Sequence, residues 1–336
     1  MNYKEKALHE LEVVLADWNS TPIGRKHFLA SVPLLLSACS SGDKKRYREG
    51  DNTGQYTDIT VEDEKNMAQE YLPKMLEDYP PVQDNDMQEY ISGIGQRIVR
   101  ANGLHGKPYE YNFMVVGTKN VNAFALPAGT IFVTAPLIAM ADSEAELAGV
   151  IGHEIGHVKA RHTAERIYEA DQMTTKMWKN IATGSGIGAL IGGAAGAATA
   201  CKGKKGNDFN KCVAAAAAAG AAVGIAAGYL ITKYQFMQNS QEDELEADRI
   251  GFRTAVNAGY SKAYVGKFYE KLLQMESQAK AHKNPITSSL ADAMSTHPPS
   301  TKRVGEMNKL VAESNKSGGA VSSSAFEKFS SKARRL

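Results

Sequence analysis

Five residues, His153-Glu154-Ile155-Gly156-His157, constrain this chain more than any other stretch. They spell H-E-x-x-H, and an α-helix brings side chains four apart onto one face. Two imidazoles on one face can hold a single Zn²⁺. The glutamate between them stands close enough to take a proton from the water that the metal activates. The motif therefore asks for a rigid helix and for a second element that carries a further ligand. The flanking residues meet the first demand. Ser143, followed three residues later by Glu146, reads as a capping box that opens a helix over about 143–160. Leu147, Val150, Ile151, Ile155 and Val158 then recur at helical spacing and hold it against a core.

A catalytic zinc site takes three protein ligands and keeps a fourth position open. The run Gln241 to Arg249 is the best source of the third. Glu244 and Asp248 are four apart and share a helical face, so Glu244 can bind the metal. Asp248 can accept the free ring N–H of a ligating histidine, which fixes that ring's tautomer. The competing reading of such a run is a solvated acidic face.

With both motifs in view, the chain resembles the gluzincin zinc peptidases of family M48, a group that includes HtpX-like and CAAX prenyl endopeptidases. Three further stretches carry the likeness: Asn122 to Val133, Glu246 to Gly251, and Ser295-Thr296-His297-Pro298-Pro299-Ser300. It extends over roughly residues 60–312. The resemblance implies a mainly helical α+β fold of the gluzincin type, with a small β-sheet beside the active-site helix. It implies one Zn²⁺ per chain held by His153, His157 and Glu244, with Glu154 as general base. The activity implied is that of a zinc-dependent endopeptidase. His297 keeps three readings open: a donor to the oxyanion, an occupant of the open zinc position that holds the enzyme latent, or a cap on the turn before Pro298-Pro299.

Tyr109 to Val116 alternates like a strand, and residues 122–126 and 130–135 are β-prone runs broken by Pro127 and Gly129. An exposed edge there can pair with an extended substrate, with Asn122 and Ala123 nearest its backbone. Helices are expected near 61–78, 84–102, 162–181, 240–258, 261–280 and 300–314.

The N-terminus has the layout of a bacterial export signal. Residues 28–38 form a short apolar run behind Arg25-Lys26, and Leu36-Ser37-Ala38-Cys39 resembles a lipobox in which Cys39 takes lipid. Arg25-Lys26-His27-Phe28-Leu29 resembles a twin-arginine motif with lysine in second place. Ser40 resembles the signal for outer-membrane sorting. The expected organisation is a signal peptide over 1–38, a tether over 39–58, a peptidase domain over 59–314 and a disordered tail over 315–336. The expected place is the periplasm, lipid-anchored at the outer membrane. Cys201 and Cys212 flank a short loop, and closing it by a disulfide would contribute about 3 kcal/mol. Within the domain, 183–231 is rich in glycine and alanine at four-residue spacing. It reads as a helical hairpin that packs on protein or self-associates, in preference to one that inserts in the bilayer.

The expected substrates are misfolded or misassembled envelope proteins. The alternative is a latent-site scaffold or chaperone-like lipoprotein acting through the Gly/Ala-rich segment. Net charge of +2 and 23% charged residues leave no nucleic-acid footprint.

Overall fold

The computed structural model describes residues 57–168, 239–281, 290, 293 and 296–336, all within one compact unit of the chain. The expectations for the signal peptide, Cys39, the tether up to residue 56, the Cys201–Cys212 pair and the 183–231 segment lie outside the described residues. Among the described residues no helix is long and apolar enough to cross a membrane.

The architecture is α+β and mainly helical, as the resemblance implied. Helix α1 (Val61–Asp78) and helix α2 (Asn85–Ala101) lead into strands β1 (Asn112–Val116), β2 (Ala123–Ala125) and β3 (Thr130–Thr134). Then come α3 (Ala135–Met140), α4 (Glu144–Lys159), α5 (Gln241–Asn257), α6 (Lys262–Val265), α7 (Lys267–Ala281), α8 (Thr301–Glu313) and α9 (Ser324–Ala333). The sheet order is β1-β3-β2, with β1 parallel and β2 antiparallel to β3. Side chains alternate across a strand, and the alternation here splits the core. Ile131 and Val133 face the main core with residues of α2 and α4, while Phe132 faces the other way. There it stacks on Phe124 at 4.9 Å, over Met75 of α1.

Helix α4 starts where the sequence predicts, but half the capping box is used elsewhere. The Glu146 N–H donates to Ser143 Oγ at 3.2 Å, whereas the Glu146 carboxylate accepts from Asp142 N and faces Lys271. Helix α5 carries the complete box: Asp243 N donates to Ser240 Oγ and Ser240 N to Asp243 Oδ2, each at 3.1 Å. The helix expected over 261–280 is broken at Gly266. A Cβ there would stand 2.2 Å from Met307 Cγ, so α8 packs into the gap between α6 and α7.

Helices α4 and α5 cross backbone to backbone. A Cβ on Gly152 would come 2.8 Å from the Gly251 carbonyl oxygen, one on Gly156 2.9 Å from that of Ala247, and one on Gly251 2.7 Å from the His153 nitrogen. Only small residues permit this approach, and it places the metal-motif helix against the acidic helix.

The tail is not disordered, which corrects the expectation for 315–336. Ser323 caps α9, and Phe326, Phe329 and Ala333 are buried on the main core. Ala320 bridges to Tyr260, and the Ala145 N–H donates to the Val321 carbonyl at 3.0 Å. Glu144, the first residue of α4, accepts hydrogen bonds from Tyr90 at 3.0 Å, Tyr260 at 3.3 Å and Ser323. Apolar burial and a shared buried carboxylate together outweigh the entropy of ordering this polar segment.

Two outcomes follow. Gly251→Ala forces the α4–α5 seam apart; urea unfolding should show a loss of about 1–3 kcal/mol, the usual range for overpacking. Lys332 pairs with Asp84 and, with the help of Met87 N–H, holds its carboxyl below the ordinary 3.8. A carboxyl lowered by folding adds stability above its unfolded value and loses it as pH falls through its folded value. Hydrogen exchange across 324–333 should therefore accelerate in that acid window, and Asp84→Asn should remove the dependence.

Candidate metal centre

The crossing sets His153 and His157, one turn apart on α4, opposite Glu244 and Asp248, one turn apart on α5. The two Nε2 atoms are 2.9 Å apart. The Glu244 carboxylate reaches both, with Oε2 3.3 Å from His153 Nε2 and Oε1 3.3 Å from His157 Nε2. His297, just before α8, brings its Nδ1 to 3.1 Å from Glu244 Oε1 and 3.3 Å from His153 Nε2. The four donors lie within 4.8 Å of one another. Metal–ligand bonds of about 2.0–2.1 Å put the corners of a tetrahedron about 3.3–3.4 Å apart. The observed separations are close to those edges, so this donor set fits a zinc ion.

Each ring's other nitrogen is also met. His153 Nδ1 faces Asp248 Oδ1 at 2.9 Å, as the spacing of the acidic motif predicts. His157 Nδ1 faces His162 Nδ1 at 2.8 Å. Around these, Arg303 binds two carboxylates of α5, those of Glu244 and Asp248. Its Nε and Nη2 donate to the two oxygens of Asp248 at 2.7 and 2.6 Å, and its Nη1 is 2.7 Å from Glu244 Oε2. The guanidinium also lies over the Tyr269 ring at 4.5 Å.

Charge accounts for the titration behaviour. Three buried carboxylates, Glu154, Glu244 and Asp248, face one guanidinium, which leaves two negative charges when the imidazoles are neutral. Burial works against a charged His153, yet the Glu244 charge and hydrogen bonds to Asp248 and Glu244 raise it to about 9. Burial and the neighbouring His153 hold His157 well below its ordinary value. A proton is thus retained at the point where a divalent cation would displace it. Burial also opposes ionisation of Glu244, but His297, Arg303 and His153 keep it well below the usual carboxylate range. Asp248 is lowered too, chiefly because Arg303 outweighs burial. Glu154 goes the other way: burial raises its carboxyl against the pull of His297 and His153. A raised carboxyl is a better proton acceptor once ionised.

The structure brings together His153, Glu154, His157, Glu244, Asp248 and His297. His297 is buried within the cluster with its Nε2 3.5 Å from Glu154 Oε1. Its ring is engaged with Glu244 and His153 and does not serve only to cap a turn. Asn122 and Ala123 are buried at the β2 end of the sheet. The Thr296 hydroxyl donates to Asn122 Oδ1 at 3.3 Å and so ties that edge to the residue before His297. Sequence reasoning missed Arg303, His162 and Asn239, whose Nδ2 stands 3.2 Å from His157 Nε2. The available signal for Arg303 was a cation in the first turn after the His297 motif.

Two imidazoles and a carboxylate around one point, with a second carboxylate on the H-E-x-x-H helix beside them, have the donor chemistry of a zinc hydrolase centre. The chain matches peptidase family M48 over residues 85–311 and belongs to that family of zinc metallopeptidases. It is 26% identical over 263 residues to the beta-barrel assembly-enhancing protease of Escherichia coli K12, covering 76% of this chain and 47% of that protein. It is 34% identical over 124 residues to the mitochondrial metalloendopeptidase OMA1 of Schizosaccharomyces pombe, covering 34% of this chain and 35% of that one. The OMA1 of Arabidopsis thaliana is 31% identical over 211 residues, with 63% and 33% covered. The chain spans about half or less of the length of these relatives.

Arg303→Met leaves Glu244 and Asp248 buried without their cation. Removing one partner of a buried pair costs about 3–5 kcal/mol, so the urea midpoint of the metal-free chain should fall sharply. Zinc loading should recover part of the loss, because a divalent cation offsets the same two charges.

Proposed function

We propose that this chain is a zinc-dependent endopeptidase acting on misfolded or misassembled proteins of the bacterial envelope. The observation that carries the reading is the convergence of four donors within 4.8 Å of one another beside the buried Glu154 carboxylate. His153, His157 and Glu244 would hold one zinc ion. When bound, it supplies a Lewis acid that acidifies water and polarises the scissile carbonyl. Glu154 takes the proton from the attacking water and returns it to the leaving amine. Asp248 and Arg303 fix the rotamers of His153 and Glu244, so the donors need no rearrangement. His297 Nδ1, 3.1 Å from Glu244 and 3.3 Å from His153, would compete with water for a bound ion, which supports the reading of a resting, latent site.

Substrate binding falls to the sheet. Strand β2 pairs with β3 on one side, and its other edge, unpaired among the described strands, would take an extended peptide once its buried backbone is uncovered. Asn122 and Ala123 lie at the end of that edge nearest His297. Envelope placement draws on the relatives named beta-barrel assembly-enhancing protease and on the lipobox-like Cys39, which would anchor the chain to the outer membrane. The Gly/Ala-rich 183–231 segment would then serve as a contact with membrane, partner or second copy. The scaffold alternative leaves Glu154 and the complete donor set without a task.

The decisive experiment compares zinc-loaded wild type with Glu154→Gln. Both should bind one zinc per chain, and casein cleavage by the variant should fall by about 10²–10⁴-fold, the contribution of a general base. Undiminished cleavage by the variant would remove Glu154 from the mechanism.

A further inference from the structure

A histidine that binds metal through Nε2 must carry its proton on Nδ1, and that proton needs an acceptor. For His153 the acceptor is the Asp248 carboxylate. For His157 it is a second imidazole, His162 Nδ1, at 2.8 Å. An imidazole nitrogen accepts only when it bears no proton. The far side of His162 supplies that condition. Its Nε2 lies 3.1 Å from Glu246 Oε2 and 3.9 Å from Asp243 Oδ1, both on α5. Two carboxylate oxygens on that side call for an Nε2–H donor, and a neutral ring then presents a bare Nδ1 to His157. The His162 ring is completely buried, so no water competes for either nitrogen.

We propose that His162 and Glu246 are positioning residues that set the tautomer of His157 through a relay of two hydrogen bonds: His157 Nδ1–H donates to His162 Nδ1, and His162 Nε2–H donates to Glu246. The relay leaves His157 Nε2 without a proton, facing Glu244 and Asn239 Nδ2. This inference rests on the zinc-site reading above.

The backbone is built for the contact. Residue 162 is five positions beyond His157, and five steps of about 100° leave a side chain well off the ligand face of a continuing helix. Helix α4 instead ends at Lys159, and Arg161 adopts φ of 56°, in the left-handed region. That turn brings His162 back beneath His157. The Arg161 side chain secures it, with Nε donating to Glu64 Oε2 at 2.8 Å and Nη2 to the Ile59 carbonyl at 2.6 Å.

The test uses the full chain and zinc itself, measured by chelator competition. Outer partners of metal-binding histidines typically contribute 10–100-fold in affinity, so His162→Leu should weaken zinc by about that factor. His162→Asn places Oδ1 where Nδ1 stood and should stay close to wild type, although it breaks the link to Glu246. Equal affinity in the Leu variant and wild type would overturn the relay, and so would an Asn variant as weak as Leu. Where a variant fails to fold, long-range ¹H–¹⁵N spectra of the zinc-loaded wild type decide the matter. His157 should be protonated at Nδ1 and His162 only at Nε2; a proton on His162 Nδ1 overturns the proposal. A wild-type chain that takes up no zinc overturns both the relay and the metal centre, whereas zinc uptake with the wrong tautomer sinks the relay alone.

Discussion

The close crossing of α4 and α5 is the constraint on which the site depends. Side chains one turn apart on one helix cannot surround an ion, so the remaining ligand must come from elsewhere, and its backbone must come near. Gly152 and Gly156 on one helix meet Gly251 and Ala247 on the other, with no room for a Cβ on any of the three glycines. That contact costs the apolar burial larger side chains would give. In return, Glu244 arrives within 3.3 Å of both imidazoles without stretching its rotamer into solvent. The apolar face of α4, including Leu147, Ile151 and Ile155, packs on the rest of the core and holds the helix from behind.

The same proximity creates an electrostatic problem that the surrounding residues solve. Glu154, Glu244 and Asp248 are all almost wholly buried. Isolated buried carboxylates would protonate, because charge is costly away from water. Arg303 prevents this for the two on α5, through three short contacts. Glu154 lacks such a contact and keeps a raised carboxyl, which separates a group that resists ionisation from two fixed anions within one cluster. Differences in neighbours, and not in residue type, divide these tasks.

What could be read in the sequence was what is local. His153, Glu154 and His157 lie within one helical turn, and Glu244 with Asp248 within another, so spacing alone announces both faces. Capping at Ser143 follows from a single residue. Arg303 was not legible, because its role is set by the docking of α8 and not by any period in the chain. His162 was hidden by the left-handed turn at Arg161, which breaks the helical register that spacing arguments assume. The segment 315–336 misled through composition: serine, glycine and lysine mask Phe326, Phe329 and Ala333, whose i, i+3, i+7 pattern behind the Ser323 cap marks a short amphipathic helix. The break at Gly266 was likewise invisible, since it answers to Met307, some forty positions away.

The anchoring of Glu144 by Ser323 and Tyr260 has a consequence for cooperativity. The first turn of the metal-motif helix is completed by a residue 179 positions further along the chain. A chain without residues 321–336 would keep His153, His157 and Glu244 but lack the Ser323 hydroxyl and the Val321 carbonyl that dock at that helix's first turn. The setting of the metal-motif helix is thereby coupled to a segment remote in sequence, and any disturbance of that segment is felt at the start of the helix.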